Sequence, residues 1–373
     1  MNLKERMDSQ FDPIIFLCVL ALIGIGIVMS YSASSYKAYV WYSNSSHFLS
    51  RSLIFTGLGL SLMWMCSIPT YQFWGRLSKY LLIASIIMLI LTLLIGKTVN
   101  GSTRWIRIGP FSLQATEFAK IAYFIFLARN FSKIISKGQG FVSILKAVLP
   151  HLVVLSIFAA LFLRQPDLGS TILLVAGLFI SLFISGLPVK YMAVFVMTVM
   201  PLGLFAVMAK EYRMLRILGW LFPFEYHRDA GYQLVQSYTG LGSGGIFGKG
   251  LGMGEYRLLH LPEAHTDFIF AAIGSDLGLA GMFIVLILFF VLFFRGVQIA
   301  LRQTDHFAFL LAFILVAMIT IQALFNMSVA VGLVPTKGFT LPLVSYGGSS
   351  ILANCIMAGI LLGLSRKKVK VIG

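Results

Sequence analysis

PIIFLCVLALIGIGIVMSYS, residues 13–32, runs for twenty positions without a charged side chain. A helix of that length rises about 30 Å, the thickness of the hydrocarbon core of a bilayer. The segment before it, MNLKERMDSQFD, carries both signs of charge, and Ser30-Tyr31-Ser32-Ala33 offers no small-residue cleavage pattern. The run therefore reads as a retained first membrane span rather than a leader.

The pattern repeats along the chain. By the same length criterion about ten spans follow one another, at 13–32, 51–69, 79–97, 114–132, 143–164, 168–187, 190–209, 266–295, 306–331 and 342–365. The fourth is the weakest, because Glu117 and Lys120 interrupt it. Composition agrees: of 373 residues 58% are hydrophobic and 11% charged, and the mean hydropathy is +0.91. So little polar surface cannot cover a water-soluble globule, whereas continuous apolar runs exclude the alternating pattern of a β-barrel. The expectation is an all-α polytopic integral membrane protein forming a single domain over residues 1–373, with both termini on one side. The 210–265 segment makes one long extracytoplasmic loop between spans seven and eight. Cys18, Cys66 and Cys355 lie in apolar segments without metal-type spacing and read as small core residues.

Charge orients the bundle. The formal net charge is +16, from 29 Lys+Arg against 13 Asp+Glu. The basic residues are scattered between apolar runs, not gathered in a stripe, which excludes a nucleic-acid partner. One set of connections carries Lys4, Arg6, Arg76, Lys79, Arg129, Lys133, Lys137, Lys190, Arg295, Arg302 and the tail Arg366-Lys367-Lys368; the positive-inside rule makes that face, and both termini, cytoplasmic. Nine of the thirteen acids then fall on or near the outer face, among them Glu117, Asp167, Glu263, Asp267 and Asp276, together with Arg104, Arg107, Arg216 and Lys337. Such one-sided polar chemistry fits a site for an anionic, membrane-held substrate at the outer leaflet.

Four segments can carry that chemistry. Asn100–Lys120 includes Arg104 and Trp105, then Glu117 and Lys120 three apart on one helical face. These two make either a structural ion pair or a phosphate site in which Glu117 orients the lysine beside Arg104. In Gln165–Ser170, Asp167 precedes an apolar run, so it caps a helix, pairs Arg164 or holds a cation. In Leu261–Ala271, Asp267 stands at the outer mouth of the eighth span with His265 and Thr266 before it. An N-cap is the plain reading; partial desolvation would instead tune the carboxylate towards a general base. Asp276, deeper in the same span, pairs within the bundle. Pro335–Ser350 breaks the apolar pattern with two prolines and Gly347-Gly348, and Lys337, Ser345, Tyr346 and Ser349 suit a cavity lining. Between Gly240 and Gly254 eight of fifteen residues are glycine, without the strand or register a nucleotide-binding loop requires. That stretch reads as bare backbone that approaches substrate or packs over the bundle.

Together these motifs resemble the SEDS family (shape, elongation, division and sporulation) of polytopic peptidoglycan glycosyltransferases. The resemblance extends from the first span to Ser350. Pro335-Thr336-Lys337-Gly338 and Leu341-Pro342-Leu343 are more similar to division-type than to elongation-type members. One departure is Ala115-Thr116, where Pro-Ser is usual. The resemblance implies polymerisation of lipid II into β-1,4 glycan at the outer face of the bacterial inner membrane, at the division septum. The family's catalytic acid falls on Asp267, and its substrate-binding residues fall on Arg104, Trp105, Glu117, Lys120, Asp167, His265, Thr266, Lys337, Ser345, Gly347, Gly348 and Ser349. The implied partners are lipid II, undecaprenyl-pyrophosphate-linked glycan, membrane lipid, a class B penicillin-binding protein transpeptidase and other division proteins. A divalent cation such as Mg or Mn is the one cofactor the chemistry invites. An alternative from another class is a lipid II flippase, since helices with intramembrane charge also describe transporters. The concentration of acids at one face favours the enzyme over a carrier whose polar path must reach both sides.

Overall fold

The computed structural model describes residues 10–99, 102–109, 111–132, 141–208, 210–254 and 263–366. Lys4, Arg6, Asn100, Gly101, Lys133, Lys137, Leu261, Pro262 and Lys367-Lys368 of the sequence reading lie outside the described residues. Twelve helices and one small sheet follow in order: α1 (Pro13–Tyr42), α2 (His47–Ser67), α3 (Tyr71–Ile95), β1 (Lys97–Val99), β2 (Ser102–Ile108), β3 (Phe111–Gln114), α4 (Ala115–Phe131), α5 (Phe141–Arg164), α6 (Leu168–Ile184), α7 (Val189–Met208), α8 (Glu211–Leu221), α9 (Tyr232–Gly244), α10 (Ile269–Leu301), α11 (His306–Ala330) and α12 (Gly348–Ser365). Ten of them match the ten expected spans in order. Among the described residues six, α1, α2, α3, α10, α11 and α12, are long and apolar enough to cross a membrane by themselves.

Helix starts follow local chemistry. The Asp12 carboxylate accepts from the Ile14 and Ile15 N–H groups with Pro13 at the first helical position, and Asp305 accepts from Phe307 and Ala308. The fourth span is explained by position. Helices α4, α11 and α12 are buried almost all round, whereas α2 and α3 expose most of their apolar side chains. A helix enclosed by protein need not be apolar enough to face lipid, so α4 tolerates Glu117 and Lys120.

Two features depart from the expected loops. Residues 97–114 fold as an antiparallel three-stranded sheet in the order β1-β2-β3, with Trp105 paired to Gln114 and Ile108 to Phe111. The 210–265 loop carries α8 and α9, and its glycines pack against α10. Of the two uses open to the Gly240–Gly254 stretch, the structure supplies close packing. Helix α10 breaks at Gly278 (φ 68°, ψ −165°), and residues 245–250 fill the break by backbone hydrogen bonds: Leu279 N–H to Gly245 O and Ala280 N–H to Ile246 O at 3.0 Å, Lys249 N–H to Ser275 O at 3.1 Å, and Gly250 N–H to Asp276 O at 3.0 Å. A Cβ on Gly248 (φ 81°) would sit 2.1 Å from the Asp276 carbonyl oxygen, so only glycine fits. Asp276 is fully buried there, accepting from the Ser32 hydroxyl and from Gly252 N–H, in keeping with its expected place inside the bundle.

The two ends of the bundle differ. At one end Arg295 forms an ion pair with Asp12 at 2.8 Å, Asp12 N–H donates to the Ser365 hydroxyl, and Arg366 donates to Ser67, so the first and last described segments meet. At the other end α2, the connections α3–α4 and α5–α6, the turn before α10 and the α11–α12 segment converge on a cavity.

Candidate active site

The cavity holds about 550 Å³ and is lined by five basic side chains (Arg51, Arg104, Lys120, Arg216, Lys337) and four acidic ones (Glu117, Asp167, Glu263, Asp267). Trp105, Thr266, Gly347, Gly348 and Ser349 also line it. Eleven of the thirteen sequence-predicted residues therefore share one space, though they come from four separate connections and the first turns of α4 and α12.

Asp267 lies in the turn that leads into α10. It does not cap that helix: the cap position is Phe268, which leaves the carboxylate free of the N-cap role. Burial, reinforced by the negative charge of Glu263, raises its pKa to about 7 against the pull of Arg104, Arg216 and Lys337. Gly338 passes so near that a Cβ on it would lie 2.7 Å from Asp267 Oδ2. Lys337, next to it, has its pKa lowered to about 8 by burial, with Asp167 acting in the opposite sense and Arg104, Arg216 and Arg213 in the same one. Asp167 does cap its helix, accepting from Ser170 N–H at 3.2 Å and the Ser170 hydroxyl at 2.6 Å, while Arg164 turns to the exposed surface. Of the three uses open to Asp167 the structure supplies the cap, which also presents negative charge to Lys337.

Lys120 and Glu117 are joined at 2.9 Å, both buried, as their spacing on one helical face requires. Lys120 Nζ also donates to Gln322 Oε1 at 3.1 Å. Arg104 donates from Nε to Gln165 O at 2.9 Å and from Nη2 to Pro166 O at 2.5 Å, fastening β2 to the α5–α6 corner with its guanidinium at the cavity wall. Ser349 accepts from Gln114 N–H at 2.8 Å, so the start of α4, where Ala115-Thr116 departs from the family pattern, is pinned to α12.

Two predicted contacts stand behind the wall. The Ser345 hydroxyl donates to Thr266 O at 2.5 Å and accepts from Leu341 N–H at 2.7 Å. His265 is packed between Phe48 and Tyr346, and burial, despite the opposing charge of Glu263, lowers its pKa to about 4, leaving a neutral ring. Both shape the Asp267 turn instead of facing the cavity. Conversely, the sequence reading does not single out Arg51, Gln322 or Asn326 and treats Arg216 only as one outer-face cation. A lone amide in an apolar span and an arginine in a long loop carry no local pattern.

Comparison with known proteins closes the question of kinship. A family model described as Cell cycle protein, covering FtsW, RodA and SpoVE, matches residues 13–370. The chain is an FtsW-type member of the SEDS family. Among its SEDS relatives, a probable peptidoglycan glycosyltransferase FtsW of Trichlorobacter lovleyi is 41% identical over 360 residues, covering 96% of this chain and 93% of the relative. A second protein of that description, from Geobacter metallireducens, is 38% identical over 98% of this chain and 97% of its own. Among solved structures, a chain from work on the structural coordination of polymerization and crosslinking by a peptidoglycan synthase complex superimposes with a TM-score of 0.79 at 27% identity, covering 96% of this chain and 99% of that one. These relatives agree with the division-type resemblance of the 335–343 segment.

Proposed function

We propose that this peptidoglycan glycosyltransferase polymerises lipid II into β-1,4 glycan at the outer face of the cytoplasmic membrane during septal wall synthesis. The observation that carries the reading is one carboxylate with a pKa near 7 facing basic side chains in a single cavity. Asp267 takes the proton from the C4 hydroxyl of the acceptor sugar. That oxygen attacks the anomeric carbon of the donor, the carbon–oxygen bond to the pyrophosphate breaks, and the configuration inverts from α to β. Lys337, Lys120 and Arg104 stabilise the negative charge that develops on the departing lipid pyrophosphate.

Ten spans with cytoplasmic termini put the cavity outside. The meeting of residues 12 and 365 at the opposite end supports this arrangement, as does the cluster of Arg295, Arg302 and Arg366 there. The kinship with a chain from a synthase complex supports a transpeptidase of the class B penicillin-binding type as partner. Among the described residues no three His, Cys, Asp or Glu side chains converge as metal ligands, so a Mg or Mn ion would be held by one or two carboxylates together with substrate pyrophosphate oxygens.

The test is purified chain in vesicles with lipid II confined to the outer leaflet, with and without the cognate transpeptidase. Glycan forms with the parent protein and not with Asp267→Asn. Movement of lipid II across the bilayer without polymer would replace this reading with the flippase.

A further inference from the structure

Two amides one turn apart on α11, Gln322 and Asn326, reach the cavity from behind. Neither belongs to a motif. Both are buried, Asn326 completely. Asn326 Nδ2 donates to two carbonyl oxygens, Asp267 O at 2.7 Å and Phe339 O at 2.5 Å. Gln322 accepts from Lys120 Nζ through Oε1 at 3.1 Å and donates through Nε2 to Thr340 O at 3.2 Å and to the Thr340 hydroxyl at 3.3 Å. The partners fix the orientation of each amide: two carbonyls demand the NH2 group of Asn326, and an ammonium on one side with a carbonyl on the other leaves Gln322 one arrangement.

The geometry points to Asn326 and Gln322 as positioning residues that set the distance between the general base and the cations of the leaving-group site, through the shared 337–340 segment. Asn326 ties the backbone of Asp267 to that segment, which carries Lys337; Gln322 ties Lys120 to its next residue. Helix α11 is among the most buried elements, so the two amides hang from a rigid support. The segment they hold has little fixing of its own, running without regular structure from Leu333 to Leu341. An apolar core at 322 and 326 would pack as well and would leave Asp267 O, Phe339 O and Thr340 O without these donors.

This assignment rests on the proposed polymerase reading, and the two fail differently. Absence of glycan from the parent protein sinks the polymerase; a normal Asn326 variant in an active background sinks only the positioning role. Asn326→Leu, close in size and without donors, is expected to lower kcat for lipid II polymerisation at least tenfold with KM changed less than threefold. It also moves the acid limb of the kcat profile down from pH 7 by a unit or more. That limb moves because the released carboxylate leaves the place where Glu263, Arg104, Arg216 and Lys337 surround it and gains water. Gln322→Leu leaves Lys120 held by Glu117 alone and is expected to raise KM more than it lowers kcat. If the leucine variant is not recovered folded, Asn326→Ala, smaller and equally without a donor, must give the same kcat loss and the same shifted limb. A kcat within twofold of the parent overturns the proposal, and so does a loss accompanied by an unmoved acid limb.

Discussion

At the residue scale the site is a balance between the needs of the reaction and the cost of burying charge. Asp267 in the unfolded chain is an ordinary carboxyl, whereas folding raises its pKa to about 7. Between about pH 4 and 7 the folded state therefore binds the extra proton, and stability falls as pH rises through that window. Asp267→Asn should accordingly melt at a higher temperature than the parent at pH 8, with the difference gone at pH 4, as followed by thermal unfolding in detergent. The same substitution removes the proposed base and should cut polymerisation by about 10²–10⁴-fold at pH 8. Parent activity should rise with pH along a limb centred near 7. The Glu117–Lys120 pair poses the opposite problem. Lys120→Met leaves a buried carboxylate without its cation, a loss on the order of 3–5 kcal/mol. Adding Glu117→Gln should restore most of the stability in the melt and none of the polymerisation, which separates the pair's structural role from its catalytic one.

At the scale of elements, helices were readable where a single physical demand governs the residues. The apolar run 306–331 had to cross lipid, and α11 spans His306–Ala330. The sheet at 97–114 was not readable, since its strands carry polar and apolar residues mixed and are held by Arg104 to a corner 61 residues away. The fate of the glycine stretch was half readable. Its bare backbone announced a close approach, but the receiving break in α10 depends on Gly278, an isolated glycine in an apolar helix. Of the cavity, the charged residues showed themselves by rarity, each conspicuous in a span or at its mouth. Gln322 and Asn326 did not, because an amide inside a span is as often a structural bond as a functional one. The break yields a prediction. Gly248→Ala puts a Cβ 2.1 Å from Asp276 O at φ 81° and should cost on the order of 1–3 kcal/mol. Because the loop holds the segment of α10 that follows Asp267, limited proteolysis should show the 245–254 region cut sooner than in the parent, with polymerisation reduced in step.

At the scale of the molecule, α10 serves as a ruler. Leu277–Phe294 is a run of eighteen residues without a polar side chain, and the helix beyond the Gly278 break, Leu279–Phe294, rises about 24 Å, most of the thickness of the hydrocarbon core. Arg295 closes it at one end, ion-paired to Asp12, and Ser275-Asp276 closes it at the other. Asp267 precedes that polar end by nine residues, which under the proposed function would set the cavity at headgroup level, where the pyrophosphate and sugar of a membrane-held substrate lie while its hydrocarbon tail stays in the bilayer. The proposed outer placement rests on charge: the Arg295 end also gathers Arg302 and Arg366, as the positive-inside rule expects of a cytoplasmic face. Cysteines placed at the two ends test the assignment. Arg107, exposed on β2, and Arg302, exposed after α10, stand at opposite ends of the bundle. In intact spheroplasts Arg107→Cys should react with a membrane-impermeant maleimide above the level of the parent chain, and Arg302→Cys should react only after permeabilisation. The reverse pattern would put Asp267 in the cytoplasm, on the side where a lipid-linked precursor is assembled and not the side where glycan accumulates, and the outer-leaflet polymerase would have to be abandoned.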